Sequence, residues 1–199
     1  MCKNRELRIL LIDNYDSFVY NIVELLRQLD YTDLTIRRND EISVEESKNF
    51  THIIISPGPA TPRESGNILE IISTLVPTHK ILGICLGHQA IAEVFGAKLI
   101  QLSRPQHGYQ SEIVEVNDNV LFHGFSINEQ QPFRIGLYHS WLVDSNNIPE
   151  CLEVTSANRE GQIMSIRHRQ FQVTGIQFHP ESYMTPMGAV LFKNWMGVI

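Results

Sequence analysis

Three short, unbroken apolar runs constrain this chain more than any other feature: Ile9-Leu-Leu-Ile12, Ile53-Ile-Ile55 and Ile81-Leu-Gly-Ile84. A strand with one wet face alternates apolar and polar residues. A strand covered on both faces does not, and it reads as a continuous run of this length. We therefore read strands over Arg8–Asn14, His52–Ser56 and Lys80–Cys85, with a further strand at Leu34–Arg37. Helical segments lie between them. Phe18, Ile22, Leu25, Leu26 and Leu29 share one helical face, and Asp16 is placed to cap it. Ile42–Asn49 reads as a short polar helix, Asn67–Leu75 as a second helix and Gly87–Phe95 as a third. Strand and helix in this rhythm predict a parallel sheet with right-handed crossovers and helices on both faces.

After Gly96 the pattern changes. Leu99–Leu102, Glu112–Val116, Arg134–Tyr138, Leu152–Ser156, Gln162–Arg167 and Val173–Phe178 read as successive strands. Turn residues separate several of them (Asn117-Asp118, Asn146-Asn147, Arg159-Glu-Gly161). Met187, Val190, Leu191 and Trp195 form the face of a closing helix. The expectation is an α/β fold: a three-layer, doubly wound, mostly parallel sheet of flavodoxin-like type with a small additional antiparallel layer. No linker, repeat or low-complexity tract divides residues 1–199, so one domain is expected.

Composition excludes several classes. At 43% hydrophobic and 19% charged residues, the chain is not of a disordered type. Its net charge of -6 offers no footprint for a phosphate backbone, and the one tight basic cluster is Arg167-His168-Arg169. No apolar run approaches a signal sequence or a membrane span, so a soluble cytoplasmic protein is expected. The three cysteines, Cys2, Cys85 and Cys151, are far apart and lack zinc-site spacing. No histidine pair has metal-binding spacing either, so no metal site is expected.

Chemistry is sought beyond the carboxyl ends of the parallel strands. Gly83-Ile84-Cys85-Leu86-Gly87 has the form of a nucleophile elbow, G-x-S-x-G, with cysteine in place of serine. The glycines leave room for a tight strand-to-helix turn, and the following helix points its N-terminus at the sulfur. The pentapeptide alone also fits close strand–helix packing with Cys85 as core filler. In the loop Ser56-Pro-Gly-Pro-Ala-Thr-Pro62, Pro57 and Pro59 have no N–H, so between Ser56 and Ala60 only Gly58 has a free amide. Gly58 and Leu86 could then donate to a developing oxyanion; alternatively the loop is only a stiff turn. Among eight histidines, His179 ends a strand, precedes Pro180 and stands two residues from Glu181, a carboxylate able to fix its tautomer. His52, His79, His107, His123 and His168 read as surface or packing residues, and His88 is expected to face away from the elbow.

Taken together, Gly83-Ile-Cys-Leu-Gly-His-Gln89 and Phe178-His-Pro-Glu-Ser182 resemble the signature of class I (triad) glutamine amidotransferases. Leu11-Ile-Asp-Asn-Tyr-Asp-Ser-Phe18, the Ser56-Pro-Gly-Pro loop and Tyr138-His-Ser140 narrow the resemblance to the glutaminase subunits of anthranilate synthase and aminodeoxychorismate synthase. It runs from Ile9 to Trp195. The resemblance implies Cys85 as nucleophile, His179 as base and then acid, and Glu181 as its orienter. It implies an oxyanion hole from Gly58 and Leu86, with Gln89 and the backbone at Ser140 and Trp141 holding L-glutamine. It also implies no cofactor in this subunit, and a separate chorismate-binding, magnesium-dependent synthase subunit that receives the ammonia.

Three departures stand out. Ala60 replaces a frequent glycine, Leu137 stands where many members carry arginine, and His107-Gly-Tyr-Gln110 replaces a His-Gly-Lys stretch that could face the partner. Two other readings are an amidotransferase serving a different acceptor, such as a nucleotide, and a non-catalytic module resembling receiver domains with their acidic strand ends (Asp13, Asp16). A receiver would need neither the elbow nor His-Pro-Glu.

Overall fold

The structure, a computed structural model, describes residues 7–117 and 120–197. Cys2 and Asp118 lie outside the described residues. Nine strands form one sheet: β1 (Ile9–Asp13), β2 (Leu34–Arg38), β3 (His52–Ile55), β4 (Lys80–Ile84), β5 (Leu99–Val116), β6 (Phe133–Val143), β7 (Leu152–Asn158), β8 (Ile163–His168) and β9 (Val173–Ile176). Their order is β2-β1-β3-β4-β9-β8-β7-β5-β6. The first five in this order pair in parallel, and β9 through β6 pair antiparallel. The antiparallel strands thus extend the parallel sheet by hydrogen bonding.

Among the described residues five α-helices accompany the sheet: α1 (Val19–Gln28), α2 (Val44–Ser47), α3 (Ile68–Leu75), α4 (Leu86–Val94) and α5 (Gly188–Met196). Because side chains alternate along a strand, β1 feeds both faces. Ile9 and Leu11 pack with Val19, Ile22 and Leu26 of α1 and with Leu191 and Trp195 of α5. Leu10 and Ile12 pack with Ile68, Ile71 and Ile72 of α3 and with Ala90 and Ile91 of α4. This gives three layers, and it explains why β1, β3 and β4 read as unbroken apolar runs.

Several boundaries differ from the sequence reading for identifiable reasons. The N-cap position of α1 is Phe18 rather than Asp16. Asp16 instead accepts the Phe18 N–H through Oδ1 at 2.8 Å, closing the turn that leads into the helix. Ser43 caps α2 by accepting the Glu46 N–H at 3.1 Å, leaving a helix of one turn. The two strands expected at Leu99–Leu102 and Glu112–Val116 are one strand, β5. The intervening Pro105 and Gly108 look like loop residues, but register shifts between Gln101 and Gln106 and between His107 and Tyr109 absorb them. Leu137, at one of the departures noted above, is wholly buried in the same core cluster as Ile135, so this position serves the core.

The order β2-β1-β3 makes the chain leave β1 and β3 in opposite directions. The crevice at this switch point opens at the carboxyl ends of the strands. The loops after β1, β3, β4 and β9 all emerge at that end.

Candidate active site

Cys85 joins β4 to α4 with φ 52° and ψ −99°, a region that side chains other than glycine rarely occupy. The strain is enforced by close packing. A Cβ on Gly83 would lie 2.3 Å from the carbonyl carbon and oxygen of Gly87, and one on Gly87 would lie 2.5 Å from the Ile55 carbonyl oxygen. Both glycines are therefore required for α4 to turn back over β4. Cys85 is buried, its N–H is bonded to the Ile176 carbonyl of β9 at 2.8 Å, and its own carbonyl accepts from Gln89 at 3.0 Å.

His179 stands at the end of the neighbouring strand. Its N–H donates to the Gly136 carbonyl (3.0 Å), and its carbonyl accepts from Thr185 Oγ1 (2.7 Å). Thr185 Oγ1 in turn accepts the Gly136 N–H (3.0 Å). The ring packs edge-on against Phe18 and Tyr138, with centroids 5.5 and 4.9 Å away. Its Nδ1 lies 2.6 Å from Glu181 Oε1, with both side chains almost wholly buried. Nε2 makes no hydrogen bond among the described residues. Burial works against charge on this ring, but the Glu181 carboxylate and the Cys85 sulfur outweigh it. His179 is held well above the ordinary histidine value.

The proline-flanked loop closes the other side. Asn14, just past β1, donates its N–H to Ser56 Oγ (2.9 Å) and its Nδ2 to the Ser56 carbonyl (2.8 Å). Asn39 Nδ2 holds Asn14 Oδ1 at 3.0 Å. A Cβ on Gly58 would lie 2.6 Å from Asn14 Cβ and 2.8 Å from Leu86 Cδ2, so Gly58 and Leu86 are neighbours. Neither of their N–H groups is hydrogen-bonded among the described residues, and for Leu86 this follows from its place in the first turn of α4. Ala60, at the departure noted above, has φ 64°.

Gly58, Cys85, Gln89, Ser140 and Trp141 line one cavity of about 150 Å³. Gln89 Nε2 donates to the Trp141 carbonyl at 2.9 Å and to Gln177 Oε1 at 3.2 Å. The structure thus gathers all eight residues singled out from sequence at one strand-end cluster. Three larger cavities, about 400, 340 and 420 Å³, lie elsewhere. The first two sit at the opposite end of the parallel strands, beside Arg167 and Arg169 and beside His52 and His79, and the third lies beside Pro186; none is lined by a cysteine.

Sequence reasoning missed three groups here. His107, read as a surface residue, lines the cavity, with Nε2 3.4 Å from Ser140 Oγ. His139 is buried, and its value is lowered to about 4 by burial and by the nearby His179, so it stays neutral. Gln177 is fully buried with Nε2 3.6 Å from Cys85 Sγ. Its one signal was its place two residues before His179 in Gln177-Phe-His179. His88 packs against Gly175 of β9 instead of lining the cavity.

A Cys-His-Glu arrangement on a strand–helix elbow, with two free amides across from it, defines a thiol acyl-transfer site. Residues 10–198 match the glutamine amidotransferase class-I family. This chain belongs to that family. It is 43% identical over 190 residues to the aminodeoxychorismate synthase component 2 of Klebsiella aerogenes, covering 94% of this chain and 98% of the relative. It is 41% identical over 190 residues to the aminodeoxychorismate/anthranilate synthase component 2 of Bacillus subtilis, covering 94% and 95%. In fold it is similar to a putative GMP synthase protein from Thermoplasma acidophilum, with a TM-score of 0.83 at 24% identity, covering 98% of this chain and 94% of that one. Among the described residues no helix is long and apolar enough to cross a membrane, and no cluster of three or more His, Cys, Asp or Glu could hold a metal ion.

Proposed function

We propose that this protein hydrolyses L-glutamine to glutamate and ammonia and passes the ammonia to a separate chorismate-aminating synthase subunit. The observation that carries this reading is the elbow: Cys85 at φ 52° beside the strand end that holds the His179–Glu181 pair at 2.6 Å.

The chemistry follows from the geometry. Glu181 occupies Nδ1 of His179, so the ring's proton traffic runs through Nε2. Nε2 takes the Cys85 thiol proton, and the thiolate attacks the side-chain amide carbon of glutamine. The amide oxygen becomes an oxyanion that accepts from the Gly58 and Leu86 N–H groups. The imidazolium returns its proton to the departing nitrogen, ammonia leaves, and a glutamyl thioester remains. A water then gives a proton to Nε2 and attacks the thioester, glutamate departs, and the thiol is restored. Gln89, with the backbone at Ser140 and Trp141, holds the amino-acid end of the substrate. None of these steps needs a cofactor in this subunit, and magnesium belongs to the synthase.

The relatives' names include both anthranilate and aminodeoxychorismate synthases, so the position aminated on chorismate is assigned to the partner. A cytoplasmic location suits both reactants. The test is Cys85→Ser in the reconstituted complex. Glutamine-dependent product formation should fall to background while ammonia-dependent formation by the synthase survives. Normal glutamine-dependent turnover by that variant would refute the reading.

A further inference from the structure

Gln177 is a buried polar side chain that the mechanism above leaves without a task. It follows β9, is wholly shielded from solvent, and its backbone N–H is already bonded to the Met164 carbonyl at 2.9 Å. Its side chain lies between two parts of the site. Oε1 is 3.2 Å from Gln89 Nε2, and Nε2 is 3.6 Å from Cys85 Sγ.

The direction of these contacts is fixed by a neighbour that cannot reverse. The Trp141 carbonyl only accepts, so the Gln89 amide must present its NH₂ group there, at 2.9 Å. The same NH₂ has a second hydrogen, directed to Gln177, which must meet it with oxygen. Gln177 is left with its own NH₂ facing the sulfur. An amide NH₂ can only donate, and a sulfur receives a donated hydrogen far better as an anion than as a neutral thiol.

We infer that Gln177 is a further catalytic residue: its Nε2–H donates to Cys85 Sγ, stabilises the thiolate before attack, and ties that state to the occupancy of the glutamine pocket through Gln89. The inference rests on the reading of Cys85 as nucleophile. The other groups around the sulfur are His179 from the end of β9 and, across the cavity, His139 from β6 and His107 from β5. His179 supplies the counter-charge, and Gln177 is the one neutral side-chain donor to the sulfur among the described residues. A chain of amides from Trp141 to Cys85 also has a consequence for turnover. When substrate competes for the Gln89 amide, the Gln177 oxygen loses a donor and its NH₂ is freer to follow the sulfur.

The test is the rate of Cys85 alkylation by iodoacetamide as a function of pH, on the full-length chain with Cys2 and Cys151 replaced by serine. Gln177→Met keeps the length and removes the donor. Gln177→Glu keeps the shape and turns an acceptor towards the sulfur. The wild type should show its thiolate titration at the lowest pH. Gln177→Met should move it up by about one unit, a roughly tenfold loss of reactive thiolate at a fixed pH below the midpoint, and Gln177→Glu by more. In the complex, kcat for glutamine-dependent turnover should fall about tenfold in Gln177→Met with a smaller change in KM, since Gln89 keeps its bond to Trp141. Unchanged alkylation profiles in a folded Gln177→Met or Gln177→Glu variant would overturn the inference, and either variant alone suffices. Alkylation requires no glutamine, so a chain that failed to release glutamate would count against the proposed function and leave this comparison intact.

Discussion

His88 makes the protein's tolerance of acid calculable. It lies in the first turn of α4, three residues past Cys85, fully buried against β9, where a Cβ on Gly175 would come within 2.8 Å of its Nδ1. Neither ring nitrogen has a hydrogen-bond partner among the described residues. Burial, with a further push from His139, lowers its value to about 3, and the nearby Gly175 backbone opposes this only partly. In the unfolded chain the same ring titrates near the ordinary 6.5. As pH falls below 6.5 the unfolded state takes up a proton that the folded state refuses until about 3. Stability therefore falls with pH at about 1.4 kcal/mol per unit across that window. At about pH 4.5 the loss from this one ring is roughly 2–3 kcal/mol, a large part of the ~5–15 kcal/mol stability of an ordinary domain.

The perturbation is His88→Gln, which removes the titration and keeps a polar side chain of similar reach. Urea unfolding curves for both proteins at about pH 7 and about pH 4.5 give four free energies. The variant is expected to be the less stable of the two at neutral pH, because the ring packs closely. Its loss between the two pH values should nevertheless be smaller than the wild type's by roughly 2–3 kcal/mol. The carboxylates, His52 and His139 titrate in both proteins and cancel in the difference. Equal losses would refute the reasoning. Acid loss of glutamine hydrolysis should then follow unfolding and be recovered on return to neutral pH.

Other perturbations address the site. Gly83→Ala places a methyl 2.3 Å from the Gly87 backbone, where nothing flexible can yield. It should cost about 3 kcal/mol or more in urea unfolding and abolish turnover, and a stable, active variant would contradict the elbow geometry. Glu181→Gln removes the carboxylate that holds His179 up, leaving burial to push the ring down. Glutamine-dependent kcat should fall about a hundredfold or more, with ammonia-dependent synthesis unaffected. The charged pair's contribution to stability is complete below about pH 6.5 and is lost as pH rises through the raised value of His179. The stability gap between wild type and Glu181→Gln should therefore narrow towards alkaline pH in thermal melts. Ala60→Gly relieves a left-handed alanine of about 1 kcal/mol, partly offset by the greater freedom of glycine in the unfolded chain. A neutral or slightly higher Tm is expected.

The first half of the fold was legible because β1, β3 and β4 are buried on both faces and announce themselves as apolar runs. The length of β5 was not legible. Pro105 and Gly108 are ordinary loop residues, and only pairing with β6 shows that two irregularities accommodate them within a strand. The site divides in the same way. Cys85, His179, Glu181, Gly58 and Leu86 could be read because the chain marks them locally with glycines, prolines and a carboxylate two residues away. Asn14 and His107 reach the site across gaps of many residues, and Gln177, though it stands two residues before His179, meets Cys85 from 92 residues away. Their roles depend on which strands adjoin, and no local pattern encodes that.

Backbone strain gives an independent pointer to the same place. Four residues other than glycine have positive φ among those described: Tyr15, Asp30, Ala60 and Cys85. Three of them follow β1, β3 and β4, strands that lie side by side, and each such conformation costs about 1–3 kcal/mol. Strain of this kind persists only where the surroundings fix it. Here the fixing groups are the largely buried strands and the Asn14–Ser56–Asn39 network, not the residues that react. This separation lets the reacting side chains be chosen for chemistry alone. Cys85 can carry a reactive sulfur at its bend because Gly83, Gly87 and Ile55 hold the bend closed. By the same logic, a substitution at Asn14 should disturb the oxyanion amide of Gly58 and lower kcat without touching the Cys85–His179–Glu181 geometry. Asn14→Ala should therefore show normal iodoacetamide reactivity at Cys85 together with a kcat reduced by about tenfold or more. Loss of both in a folded protein would mean that the loop and the elbow are a single mechanical unit rather than two.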